Sequence, residues 1–345
     1  MLKKYYNTLI VLFLILAPTE NGAKMLFPSH KDILISSPFW SCEVLGLYSC
    51  NPKINYIRSP IKVAFMDTGF NLDLQFLKYL TIERTYNAVL NKPFPIDDQS
   101  GHGTSVISVF IDTIQRIEAE IGQSIPVSYV LVKATNDLEK SPETLLIKSY
   151  AFLFIDPTID IVNVSLAGQG YSFNEQNLLE SLYSEKEYKM MQYGYYKTKS
   201  MIVVPAGNNG INLDKIDEYP CSYQIPNAIC VGNMNNFNPK TSTNFGYDVD
   251  VLINGEKIRA VTKNGKYNML SGTSFSVPQI SAYLAYAKYF YPSLSRDEIK
   301  TALIKSVSSK KLCIYSKSCG LFSFNEFKKQ LNVIVMSNEV ISGDQ

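Results

Sequence analysis

Five short apolar runs, each stopping at a polar or turn residue, most constrain what this chain can fold into. They are Ile61–Met66, Val127–Val132, Ile159–Leu166, Met201–Val204 and Ala228–Val231. Continuous rather than alternating apolar character marks strands buried on both faces. Segments with helical spacing lie between them. His102 to about Ile117, Pro142–Phe154, Asn174–Lys199 and Ser274–Tyr291 read as helices. Ser295–Ser306 reads as another, opened by a Ser-x-x-Glu box with Ser295 as cap and Glu298 three residues on. Strands alternating with helices imply a parallel sheet covered on both sides. With 345 residues, 46% of them hydrophobic, the chain has ample material for such a core. No internal repeat or low-complexity linker interrupts it, and one domain is the simplest organisation.

The ends read differently. Lys3 and Lys4 precede an apolar run from about Leu9 to Ala17. That run is half of the ~20 residues a membrane span needs. It has the form of an export signal, assigned to residues 1–23 with Ala17 or Ala23 as cleavage sites. Residues 24–59 form an irregular lead, residues 60–335 the folded domain, and 336–345 a tail. Six cysteines fall into three local pairs, Cys42/Cys50, Cys221/Cys230 and Cys313/Cys319, and an even count in an exported chain points to disulfides. Together these predict a secreted or periplasmic protein without a stable membrane span once the signal is removed. A net charge of +2 with no basic stripe offers nothing to nucleic acid. With two histidines and no Cys-x-x-Cys, no metal site is predicted.

Four residues stand where chemistry is expected. Asp67 ends an apolar strand, where parallel sheets place their sites. His102 lies between two glycines where a loop becomes a helix. Asn208 follows another strand in Pro-Ala-Gly-Asn-Asn-Gly. Ser274 opens a helix in Ser-Gly-Thr-Ser-Phe-Ser-Val-Pro. Singly, each has a plain structural reading, as a turn former or a helix cap. In the chain order Asp, His, Asn, Ser they resemble the subtilisin-like serine peptidases. Ile61–Phe70 resembles that family's Asp block, Gly101–Val106 its His block, Val203–Gly210 its Asn block and Ser271–Pro278 its Ser block. Asp160–Ala167 resembles its substrate-pairing strand, and weaker matches extend the resemblance over roughly residues 58–332.

The resemblance implies a three-layer α/β fold and a serine endopeptidase acting on peptide or protein substrates. It implies Ser274 as nucleophile, His102 as general base and acid, Asp67 orienting His102, and Asn208 in the oxyanion hole. Ser165, Leu166 and Ala167 are implied to pair with the substrate backbone. No cofactor is required for the chemistry; calcium is common in the family, and no loop here identifies a site. Glu218, just before Tyr219-Pro220, stands where the family lines its primary specificity pocket. A carboxylate there favours Lys or Arg at the cleaved bond; the alternative is an exposed acidic loop with Asp214 and Asp217.

The chain departs from the family pattern in places. Phe275 and Ser276 replace the usual Met and Ala, and Ser105-Val-Ile-Ser replaces the usual continuation of the His block. The stretch before Asp67 is too short for the usual propeptide domain. Two rivals remain: a catalytically silent relative used for binding, and an aspartic peptidase built on Asp67-Thr-Gly. The second needs another such aspartate, and the chain has a single Asp-Thr-Gly.

Overall fold

The computed structural model describes residues 59–136, 142–166, 171–173, 179–181, 184–234, 243–307 and 312–343. The signal segment, nearly all of the lead, His30, Cys42, Cys50 and Ala167 lie outside the described residues.

Seven strands form one sheet: β1 (Ile61–Asp67), β2 (Thr81–Asn87), β3 (Val127–Lys133), β4 (Ile161–Val164), β7 (Met201–Pro205), β8 (Ala228–Asn233) and β9 (Val251–Ile253). Their order is β2-β3-β1-β4-β7-β8-β9, and every neighbouring pair is parallel. Two antiparallel hairpins stand apart, β5 (Tyr171–Phe173) with β6 (Leu179–Ser181), and β10 (Ile258–Val261) with β11 (Tyr267–Leu270). The helices are α1 (Gln75–Lys78), α2 (His102–Ile121), α3 (Glu143–Phe154), α4 (Glu185–Lys197), α5 (Thr273–Phe290), α6 (Arg296–Lys305) and α7 (Phe324–Gly343).

Period-two alternation along the strands separates two cores. Val63, Phe65, Leu131, Ile161, Val203 and Val231 face one side, where α2 and α5 supply Val106, Phe110, Ile280 and Leu284. Ala64, Met66, Val132, Val162, Val204 and Cys230 face the other, against Tyr150, Leu153 and Phe154 of α3 and Met191 of α4. This is the three-layer architecture read from the sequence, and the buried strands explain why the apolar runs were continuous.

One expectation needs correction. Residues 174–199 do not form one helix: β6 takes residues 179–181, and α4 starts only at Glu185. The physical reason is a cap, because the Ser184 hydroxyl accepts the Glu187 N–H and starts the helix there. At the other end, α7 runs unbroken through the boundary at 335/336 to Gly343. The capping box at Ser295 and Glu298 is present as read. Cys221–Cys230 and Cys313–Cys319 are bonded as paired above.

Candidate active site

Asp67, Ser165 and Asn208 lie at or just beyond the carboxyl ends of β1, β4 and β7, three neighbours at the centre of the sheet. His102 and Ser274 are the first and second residues of α2 and α5. Strand ends and helix starts therefore converge at one edge of the sheet, as expected of an open α/β site.

Asp67 is fully buried. Its Oδ1 accepts the Thr68 N–H at 2.7 Å and stands 2.7 Å from His102 Nδ1. An ionised carboxylate only accepts, so Nδ1 carries the proton and Nε2 is left as the acceptor. The approach depends on Gly103. A Cβ there would fall 2.3 Å from the Gly69 carbonyl and 2.9 Å from Asp67 Cβ, so any side chain would push His102 away from Asp67.

The start of α2 has no cap of its own, since Gly101 precedes His102 in a left-handed conformation with φ of 91°. Asp98 supplies the cap. Its Oδ1 accepts the Thr68 hydroxyl and the Gly101 N–H, and its Oδ2 accepts the Thr104 N–H and hydroxyl, all at 2.6–2.8 Å. The Thr68 hydroxyl in turn accepts the Gly103 N–H at 3.0 Å. One buried carboxylate thus locks the residue after Asp67 to the turn that presents His102. At the end of β3, the buried Lys133 donates to the Thr68 and Asp97 carbonyls and holds the same turn from below.

The start of α5 is built by the same device. Gly272 precedes it with φ of 140°, again without a side-chain cap. Asn208 Oδ1 accepts the Thr273 N–H at 2.9 Å and the Thr273 hydroxyl at 3.1 Å. A backbone N–H requires an acceptor, so the amide orientation is fixed and Nδ2 points the other way as a donor. Asn244 frames the turn, with Oδ1 accepting the N–H groups of Asn209 and Ile211 and Nδ2 donating to the Ala206 carbonyl.

Pro278 lies inside α5, four residues after Ser274. Lacking an N–H, it leaves the Ser274 carbonyl without its helical donor. The Ser165 hydroxyl fills that role at 3.1 Å. Ser165 is itself held by Asn163 Nδ2 at 3.0 Å, and Asn163 Oδ1 accepts the Ser281 hydroxyl at 2.9 Å. A buried polar chain therefore runs from β4 to the Ser274 backbone. In return, the Ser274 hydroxyl donates to the Ser165 carbonyl at 3.2 Å. Phe275 is buried with its ring centroid 5.8 Å from that of His102. Ser276 finds the partner its extra hydroxyl needs, at the long distance of 3.5 Å, in the Ile253 carbonyl.

Glu218 is 1% exposed, which overturns the exposed-loop alternative. A Cβ on Gly207, the residue before Asn208, would lie 3.3 Å from the Glu218 carboxyl carbon. The carboxylate therefore sits under the Asn208 turn. Its segment is anchored by Glu218 N–H to Ser222 Oγ at 3.2 Å and by the Cys221–Cys230 disulfide to β8. Asp214 and Asp217 are exposed and engaged elsewhere, with the Tyr247 N–H and the Tyr219 hydroxyl. Leu166 is half-buried beyond the end of β4.

The subtilase family model matches residues 58–323. The chain belongs to the subtilase family. As a subtilase it is a serine peptidase with a subtilisin-like fold. The major intracellular serine protease of Bacillus subtilis (strain 168) is 27% identical over 258 residues, 71% of this chain and 75% of that relative. The thermophilic serine proteinase of Bacillus sp. (strain AK1) is 25% identical over 225 residues, and the match spans about half of its length, 51%. Among solved structures, a cold-adapted subtilisin-like serine proteinase aligns with a TM-score of 0.59 at 19% identity, covering 76% of this chain and 86% of that one. A lanthipeptide protease aligns at 0.61 and 19%, covering 79% and 87%. Subtilases require no cofactor for catalysis. Among the described residues, no cluster of three His, Cys, Asp or Glu side chains is arranged to hold a metal, and no helix is long and apolar enough to cross a membrane.

Asp98, Lys133, Asn163, Asn244 and Ser281 support the site and were not singled out from the sequence. Asp98 had a usable signal, an acid just ahead of a helix start. The others are polar residues that each have a partner far away along the chain, as Asn163 has in Ser281.

Proposed function

We propose that this subtilase is an exported endopeptidase working through Ser274, His102, Asp67 and Asn208. The Asp67–His102 pairing at 2.7 Å carries the reading, because it leaves His102 Nε2 as a base. In this mechanism Nε2 takes the Ser274 proton as Oγ attacks the scissile carbonyl, and Asp67 stabilises the imidazolium that forms. The oxyanion is bound by Asn208 Nδ2 and the Ser274 N–H at the start of α5. His102 then passes the proton to the leaving amine, and water hydrolyses the acyl enzyme by the same relay. Ser165 and Leu166, with Ala167 beyond them, pair with the acyl side of the substrate as an added strand.

Glu218 sets a preference for Lys or Arg at the cleaved bond, and its burial beneath the Asn208 turn supports this. Two disulfides in the described domain support export to an oxidising compartment, secreted or periplasmic. The test is labelling by a fluorophosphonate probe of wild type, Ser274→Ala and His102→Ala. Labelling lost in both variants is the expected result; a folded wild type that does not label overturns the reading. Apolar preference at the cleaved bond, unchanged in Glu218→Gln, overturns the specificity assignment alone.

A further inference from the structure

The β10–β11 hairpin is not used by the mechanism above, yet it joins both halves of the site. On one side Ser105 Oγ donates to the Val261 carbonyl and the Val261 N–H donates to Ser108 Oγ, fixing β10 to α2. The Lys263 stem packs on Gly101, its Nζ reaches the Gln99 carbonyl, and its own carbonyl accepts Asn71 Nδ2. On the other side β11 runs straight into Ser271, Gly272, Thr273 and Ser274. His102 protonates the leaving amine, and the hairpin packs on the loop presenting His102, while Ser165 and Leu166 hold the acyl side. The hairpin therefore borders the leaving-group side.

Its chemistry is one-signed. Lys257, Arg259, Lys263 and Lys266 are all exposed, and none forms an ion pair with a described residue. The one acid between residues 255 and 274, Glu256, accepts Asn233 Nδ2 at 2.6 Å. Arg259 faces Met269 across the hairpin and lies over the Tyr267 ring at 3.7 Å, while Tyr267 and Met269 are 64% and 58% exposed. The Thr262 N–H bonds the Lys266 carbonyl, so strand alternation turns the peptide groups of Tyr267 and Met269 away from β10. No strand pairs with that edge among the described residues, and its Met269 N–H is held by Asn268 Oδ1 at 2.9 Å, a local contact that an incoming strand would replace.

We propose that this hairpin docks an extended, acidic segment of the protein substrate downstream of the scissile bond. The proposal rests on the Ser274–His102 reading for its direction. Backbone pairing comes from the β11 edge, and selection comes from the cations and the exposed Tyr267 and Met269.

Binding tests it apart from catalysis. Two labelled six-residue peptides, one rich in Asp and Glu with a single aromatic residue, the other its lysine counterpart, are titrated by fluorescence anisotropy into Ser274→Ala protein. The same is done with Arg259→Glu and Lys266→Glu added together. The acidic peptide is expected to bind about tenfold tighter at low salt, with the advantage shrinking at high salt. The order should invert in the charge-reversed protein, which unfolding could not produce. Equal affinities, or a preference untouched by charge reversal, overturn the proposal. A peptidyl nitroanilide, with no leaving-side residues, is run on the wild type in parallel. Its failure to turn over counts against the triad and leaves the binding result standing.

Discussion

Two pairs of helices in this molecule begin in opposite ways. α4 and α6 start at Ser184 and Ser295, whose hydroxyls accept N–H groups three residues on. α2 and α5, which present His102 and Ser274, start at Gly101 and Gly272 with no side-chain cap. Their first N–H groups are satisfied from elsewhere: Thr104 by Asp98, Gly103 by Thr68, Thr273 by Asn208. A local cap secures a helix and occupies its first turn. A remote cap secures the same groups while tying the first turn to another part of the fold. At α5 the capping residue is also the proposed oxyanion donor, so positioning and chemistry share one side chain.

The sharpest test separates those two roles of Asn208. Asn208→Asp retains an acceptor for Thr273 and removes the donor. Its kcat is expected to fall by about 10²–10³ with little change in melting temperature. Asn208→Ala removes both, and should lose comparable activity together with about 1 kcal/mol of stability. Steady-state kinetics and thermal melts on the two variants decide it. Full activity in Asn208→Asp breaks the assignment.

Asp98 against Ser295 compares the two cap types directly. In Asp98→Asn, one carboxylate oxygen becomes an NH₂ group facing a backbone N–H that cannot turn round. The expected cost is about 1–3 kcal/mol, with kcat reduced by as much as ~10² through misplacement of His102. Ser295→Ala should cost about 1 kcal/mol and leave kcat as it was. If both variants change stability alone, remote capping has no bearing on catalysis.

The two serine-capped helices differ from each other as well. Both carry Ser-x-x-Glu. Glu298 folds back on Ser295, and these bonds together with one from Asn338 hold its carboxyl below the usual range. Glu187 is buried and instead takes the Tyr223 hydroxyl at 2.9 Å. Burial, aided by the charge of Glu143, pushes it up from 4.5 to about 7. Between these values the unfolded chain loses the proton while the folded chain keeps it. Stability from this group is therefore full below about pH 4.5 and declines as pH rises through 7. The loss amounts to about 3 kcal/mol at most. Glu187→Gln should flatten that part of the stability–pH profile measured by denaturant titration; an unchanged slope removes Glu187 as its source.

These contrasts also explain what was legible in the sequence. The Ser295 box is local, four residues long, and could be read directly. The apolar runs gave five of the seven strands, because burial on both faces leaves few polar positions; the two edge strands were missed, β2 for its alternating burial and β9 for its three-residue length. Asp67, His102, Asn208 and Ser274 were readable because their neighbouring glycines and turn residues are fixed by close approach, as at Gly103. Asp98 was missed because its cap crosses a turn, and Asn163 and Ser281 because 118 residues separate them. The β10–β11 hairpin was missed even though Asn264-Gly265, a strong turn signal, sits at its tip with Gly265 at φ of 75°. The misread helix at 174–199 had polar and aromatic residues enough for a helix pattern, and only the Ser184 cap marked where it starts.

The smallest expected effect concerns Ser276, which departs from the Ala that the resemblance to the family's Ser block implies. Its hydroxyl lies 3.5 Å from the Ile253 carbonyl, the outer limit of a hydrogen bond. Gly255 makes room for it, since a Cβ there would fall 2.3 Å from Ser276 Oγ. Ser276→Ala should therefore shift stability by less than about 1 kcal/mol and leave the α5 start intact, with kcat within about twofold of wild type, because the cap on Thr273 is remote. Gly255→Ala should cost about 1–3 kcal/mol. Part of that cost persists in the double variant, because the same Cβ also meets the Gly272 carbonyl at 2.7 Å. A double-mutant cycle with coupling of about 0.5 kcal/mol or more would establish that Gly255 accommodates Ser276. Purely additive losses would instead place the constraint on the other neighbours of that Cβ, the Gly272 carbonyl and the Asn233 side chain.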